Sequence, residues 1–170
     1  MSHDHLPAHL RDFIGKDLGA KPAAIAVEEG AIRHWCEVFQ DGNPLFLDEG
    51  YAKRHGMPGL VLPPCMMETF MRSFSWPPQP DHETITEHLH EVMGLPLGVV
   101  VETSSEFYKP VHQGDRLTSK EVVTDISEEK TTRLGTGRFW DLEVSFFNQR
   151  QELVGKTTMV RFNYRLAEGK

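Results

Sequence analysis

The residues best suited to chemistry stand in the run Asp41-Gly42-Asn43-Pro44-Leu45-Phe46, followed six positions later by Ala52. Asp41 and Asn43 place a carboxylate and an amide two residues apart, at positions whose role in chemistry must be weighed against one in the turn. The same two side chains also shape turns after helices by bonding nearby backbone. Phe46 cannot move a proton; it packs the core or walls an apolar pocket. Pro63 and Pro64 precede an apolar run and remove two backbone N–H groups where the first amides of a helix would otherwise be free to hold an anion. His55 precedes Gly56 and reads as a helix C-terminal residue favoured by the dipole. His88 and His90 alternate without a nearby Cys or third ligand, so no metal site is expected. Lys130, Arg133 and Arg138 flank Gly135-Thr136-Gly137. They read either as a phosphate-binding patch whose glycines let a ligand arm pass close to the backbone, or as exposed charge on a strand with glycine bulges. Met57, Met66, Met67 and Met71 are adaptable side chains suited to a core or a wide apolar pocket.

These residues need elements to position them. Residues 1–20 read as a loose arm with one helical turn around 10–14, and 24–27 as a short edge strand. Residues 29–40 form the clearest helix, with Ile32, Trp35, Cys36 and Phe39 at helical spacing. The Asp41 to Pro44 turn ends it. Residues 48–55 predict a second short helix with Asp48 as N-cap. The extended run Gly59-Leu60-Val61-Leu62-Pro63-Pro64 leads into an apolar helix over 65–71, with Pro64 suited to its first turn. An irregular insertion or hairpin is expected over about 75–97. Four strands follow, at 99–109, 116–126, 131–148 and 152–164. Alternation is clearest in Leu142-Glu143-Val144-Ser145-Phe146. The expected fold is α+β: one domain over 21–170, a four-strand antiparallel meander curved around a central apolar helix. A sheet with a free edge calls for a partner.

The bulk properties narrow the function classes. The chain has 170 residues, room for one domain with a true core. A net charge of −7 argues against nucleic acid as a partner. Two cysteines, Cys36 and Cys65, make no disulfide framework. No apolar run is long enough to span a membrane and the first residues lack a signal-peptide layout. The cytoplasm is the expected location.

The chain resembles the MaoC-like dehydratases, and most closely their N-terminal dehydratase half, from about Ile32 to Phe162. The resemblance rests on Trp35-Cys36-Glu37-Val38-Phe39, the Asp41 to Pro44 loop, Ala52, the Gly59 to Pro64 run, Phe107-Tyr108-Lys109-Pro110-Val111 with Gly114-Asp115, and Arg138-Phe139. It implies a hot dog fold. In catalytic members the loop runs Asp, any residue, Asn, Pro, an aliphatic and then His, and a His-Gly pair stands where this chain has Pro63-Pro64. Phe46 occupies the His position. Hydrating an enoyl thioester needs a base for water, an acid for the α carbon and donors for the thioester oxygen. Both the base partner and the oxygen donors are therefore altered here.

The resemblance thus implies a non-catalytic subunit of a heteromeric enoyl-CoA hydratase or dehydratase, acting on acyl-CoA thioesters that include bulky or steroid side chains. Its partner would be a second MaoC-like hot dog subunit with an intact Asp-x-Asn-Pro-x-His loop. Phe46, Met57, Gly59, Leu60, Val61, Pro63, Pro64 and Met67 are the candidate acyl-pocket residues, and Lys130, Arg133 and Arg138 the candidate CoA-phosphate ligands. No cofactor is expected beyond the CoA thioester as substrate. Three other readings stay open: a self-sufficient homo-oligomeric hydratase or dehydratase using Asp41, a non-enzymatic acyl-CoA-binding module, and a thioesterase relying on Glu68.

Overall fold

Alternation in the longest strands sets the architecture. In β5 (Thr136–Phe147), Trp140, Leu142, Val144 and Phe146 are buried while the residues between them are half exposed. Those four side chains meet an apolar cluster drawn from the helices. The computed structural model describes residues 3, 6–17, 19–72, 76 and 85–166. Its helices are α1 (Ala8–Arg11), α2 (Glu29–Phe39), α3 (Pro44–Leu47), α4 (Glu49–Arg54), α5 (Met67–Met71, preceded by a 3-10 turn at Pro64–Met66) and α6 (Ile85–Met93). Its other strands are β1 (Ala20–Pro22), β2 (Leu97–Phe107), β3 (Thr118–Ile126), β4 (Lys130–Thr131) and β6 (Leu153–Arg165). The sheet is antiparallel in the order β1-β3-β5-β6-β2, with β4 pairing to β5.

The α+β class and the four long strands match the sequence reading, but the simple meander does not. β2 pairs with β6, not with β3, because the segment between β2 and β3 crosses to the helical side instead of turning back. There Val61 and His112 form an antiparallel bridge. β2 therefore ends the sheet, and all eleven of its residues are exposed.

Residues 6–17 are no loose arm. Leu6 and Leu10 are buried in the core cluster, and Ile14 bridges to Val123. The edge strand lies at β1, not at 24–27, where Val27 donates its N–H to the Asp115 carbonyl across a loop. The 85–96 part of the expected irregular insertion contains α6, whose Ile85 and Leu89 join the core. The rest of that insertion lies almost wholly outside the described residues.

The central helix is also short. Its α-helical part is only α5, and Arg72 turns to extended backbone. α2 buries Ile32 and Cys36, each fully buried apolar side chain being worth about 1.5–3 kcal/mol. Trp35 is half-buried and Phe39 faces solvent at 64% exposure, so the apolar face is narrower than its spacing implied.

Candidate functional site

The Asp41 loop is closed upon itself. Gln40 ends α2 in the left-handed region at φ 54°. The Asp41 N–H returns to the Cys36 carbonyl at 2.9 Å. Asp41 Oδ1 accepts the Asn43 N–H at 3.0 Å, and Asn43 Oδ1 accepts the Leu45 N–H at 3.1 Å as the N-cap of α3. Pro44 does not merely stop α2; it opens α3 from the position that tolerates a missing N–H. The sequence reading missed this helix, although Asn-Pro is a start signal as well as a stop signal. Phe46 is 8% exposed and belongs to the core cluster.

Next to this loop lies the 60–64 segment. The Val61 N–H donates to the Leu45 carbonyl at 2.9 Å, the Leu62 N–H to Val111 at 2.8 Å, and the Gln113 N–H to Leu60 at 2.9 Å. Asp115, buried, fastens the other side of this join. Its carboxylate accepts the His112 N–H and the Gln149 amide, both at 2.8 Å. Pro63 and Pro64 contribute no N–H, and Met66 donates to the Pro63 carbonyl at 2.9 Å. Every amide in 61–66 is thus absent or bonded to backbone, except that of the exposed Cys65.

Two depressions result. One, of about 250 Å³, is lined by Val61, Leu62, Pro64, Met67 and residues 107–111. Its walls are almost wholly apolar. The polar groups at its mouth are Tyr108 and Lys109. The Tyr108 hydroxyl donates to Glu106 at 3.0 Å, a bond that pushes the phenol above its ordinary pKa. Lys109 pairs with Glu152 at 2.7 Å. Among the described residues no histidine or carboxylate lines this cavity, and its apolar walls can hold an apolar chain. Gly155 lets Met67, one of the lining residues, pack directly on β6: a Cβ there would stand 2.4 Å from Met67 Cε. The second depression, about 340 Å³ and more open, is lined by Arg33, Cys36, Glu37, Gln40, Asp41, Gly42 and Leu47. Burial, and then Asp41, push the Cys36 thiol pKa up, away from the thiolate a nucleophile needs.

The predicted pocket residues therefore separate. Val61, Pro64 and Met67 line the apolar cavity. Phe46, Met57, Gly59, Leu60 and Pro63 are not among its described lining residues, and Asp41 lines the other depression. Phe107, Tyr108 and Pro110 were not chosen as site residues, although their run was one of the matched motifs. What the sequence could not supply was the Val61–His112 bridge, which carries that run across to Pro64. Glu68 is half-buried and lines neither depression. His55 Nδ1 lies 2.9 Å from the Tyr51 carbonyl and its ring stacks on Tyr51, the helix-end role its position implied.

The basic trio lies elsewhere. Arg138 donates to the Ser127 carbonyl at 2.9 Å, the Lys130 ammonium sits 5.7 Å from the centre of the Phe139 ring, and Arg133 is exposed. Gly137 opposes Tyr164 while Phe146 opposes Gly155, so about 30 Å of strand separates the trio from the apolar cavity. Gly137 leaves no passage for a ligand arm. A Cβ on it would stand 1.9 Å from the Asn163 carbonyl oxygen, so the space is filled by β6 itself.

Comparison with known proteins agrees with this geometry. The FAS1-like dehydratase domain region matches residues 12–157. A probable enoyl-CoA hydratase alpha subunit from Thermomonospora curvata is 32% identical over 99% of this chain and 55% of its own length. The 3-oxo-4,17-pregnadiene-20-carboxyl-CoA hydratase alpha subunit of Mycobacterium tuberculosis is 26% identical over 85% of this chain and 45% of its own. The chain thus spans about half the length of these curated relatives. In fold it is similar to a chain of the ChsH1-ChsH2 complex from Mycobacterium tuberculosis, with a TM-score of 0.80, 20% identity, and coverage of 95% of this chain and 92% of that one.

Proposed function

This chain belongs to the FAS1-like dehydratase domain region family, and on that premise we propose that it is the pocket-forming subunit of a heteromeric enoyl-CoA hydratase or dehydratase. The observation that carries the reading is Phe46 buried in the core cluster, together with an apolar cavity whose described lining residues include no histidine or carboxylate. A wall of Val61, Leu62, Pro64, Met67 and Phe107 suits an acyl chain. In this reading a second hot dog subunit with an intact Asp-x-Asn-Pro-x-His loop supplies the base, the acid and the water. The open β2 edge offers the seam where two sheets join, with the thioester between the subunits. The relatives named as hydratase alpha subunits, one acting on a steroid side-chain thioester, support the same class of substrate.

The test is hydration of trans-2-enoyl-CoA by this chain alone, by a hot dog partner alone and by the co-expressed pair. General acid–base catalysis contributes typically a hundred- to ten-thousandfold. The pair should exceed the purified chain by at least about a hundredfold. Robust turnover by the pure chain that Asp41→Ala abolishes would replace this reading with a self-sufficient enzyme. Binding of CoA thioesters without turnover in any combination would leave a binding module.

A further inference from the structure

Cross-strand pairing gives the concave, core-facing side of the sheet a second feature. Trp140, Leu142, Val144 and Phe146 of β5 stand opposite Arg161, Met159, Thr157 and Gly155 of β6. The same face of β2 carries Val100, Thr103, Ser105 and Phe107, opposite those β6 residues in turn. All four β2 residues are exposed. They form an open lane that starts at the apolar cavity, where Gly155 lies under Met67 and Phe107 joins the lining. It ends at Arg161, six residues and about 20 Å further along β6. Its two central hydroxyls, Ser105 and Thr157, bond each other at 3.0 Å and so offer the lane little polarity.

At the far end the chemistry changes. Arg161 lies with its guanidinium 5.3 Å from the centre of the Trp140 ring and donates to the Thr86 hydroxyl of α6. Among the described residues no carboxylate pairs with it. Glu121, whose charge favours the cation, is engaged by Lys21 at 3.0 Å. Burial lowers the Arg161 pKa, and Arg161 in turn helps burial push down that of His90 on α6. A half-buried guanidinium with no counter-ion among the described residues, closing a largely apolar lane, is a costly arrangement that a carboxylate would relieve.

We infer that Arg161 anchors the far end of the acyl channel and selects CoA thioesters whose tail ends in a carboxylate. This rests on the reading of the apolar cavity as an acyl-thioester site. A carboxylate from the partner subunit fits less well. A strand added along β2 lies two strands from β6, about 10 Å away in the sheet plane, and α6 closes Arg161 from above.

The experiment measures calorimetric binding of hexadecanoyl-CoA and of the mono-CoA thioester of hexadecanedioic acid, by the chain alone and in its complex. A charge-assisted pair predicts that wild type binds the diacid thioester about tenfold to a hundredfold more tightly. Arg161→Met, which keeps an apolar stem over Trp140, should remove that preference while leaving hexadecanoyl-CoA binding within about twofold. Arg161→Lys should retain part of it. Equal binding of the two thioesters by wild type overturns the inference. So does an Arg161→Met variant that weakens both alike, the result of a structural role. An Arg161→Met variant that dissociates the complex with the preference intact assigns the guanidinium to the partner instead. Binding needs no turnover, so a preference without hydration would sink the hydratase reading alone. Failure to bind either thioester would sink the acyl site, and this inference with it.

Discussion

The Asp41 loop and strand β2 are opposite solutions to the same problem of backbone polarity. In the loop, side-chain oxygens of Asp41 and Asn43 take the amides that follow them, Leu45 receives Val61, and Phe46 turns inward. β2 has one satisfied side, against β6, and among the described residues one unpaired side, with valines at positions 99, 100 and 101 exposed. The loop uses its polar side chains to close its own backbone, while the edge strand leaves a row of backbone groups open to a partner.

The largest effect should come from the open side. Val99→Lys together with Val101→Lys places two charges on the edge, where charges block strand addition. Subunit association, read by analytical ultracentrifugation, should weaken roughly thirtyfold or more, because hot-spot losses reach about 2 kcal/mol or above. The melting temperature of the isolated chain should hardly move, since exposed positions change stability by only about 0.5 kcal/mol. Unchanged association would mean that the partner sits elsewhere and would break the contrast.

The closed side should respond in stability alone. Asn43→Ala removes the N-cap of α3 and should cost about 1 kcal/mol in urea unfolding. In the complex, kcat should stay within about threefold, the small change expected when no transition-state interaction is lost. A hundredfold fall in kcat would return the loop to the active site.

A smaller effect belongs to the turn between β5 and β6. Glu152 accepts from Asn148, Lys109 and Arg150, and these bonds, Asn148 first, hold its carboxyl down at about 2. A folded-state pKa below the ordinary 4.5 stabilises the fold above that value and is lost as pH falls towards about 2. Glu152→Gln should therefore melt below wild type at neutral pH, with the gap closing as the solution is acidified from about 4.5. A gap independent of pH would show that shape, not charge, matters at this turn. The smallest effect is expected from Lys130→Glu with Arg133→Glu: KM for CoA thioesters in the complex should stay within about twofold, given the 30 Å of strand between these residues and the cavity. A severalfold rise at unchanged kcat would restore them as phosphate ligands of a thioester seated across the seam.

The strands were legible because alternation is a local signal. Leu142, Val144 and Phe146 announced the buried face of β5, and Asp48 announced the start of α4 by capping the Tyr51 amide. That Phe46 carries no proton-moving group and Pro63-Pro64 no N–H was legible in the residue types themselves. What escaped was whatever depends on pairing between distant segments. The Val61–His112 bridge decides which residues line the cavity, and the β2–β6 register decides that Arg161 looks along it. Leu6 and Leu10 escaped because so short a helix is held by α6 and the core, not by its own propensity.

The strand order also dictates a sequence of events during synthesis. Among the long strands β3 and β5, and then β5 and β6, are consecutive and paired, so these are the sheet contacts with low loop-closure cost. β2 leaves the ribosome long before its sole neighbour β6, the last strand of the described sheet, and β1 precedes its partner β3 by almost a hundred residues. The nascent chain therefore carries a valine-rich strand without its β6 partner until β6 arrives, the kind of interval in which chaperones are needed. Its yield in a cell should be governed by that wait more than by the equilibrium stability of the finished fold.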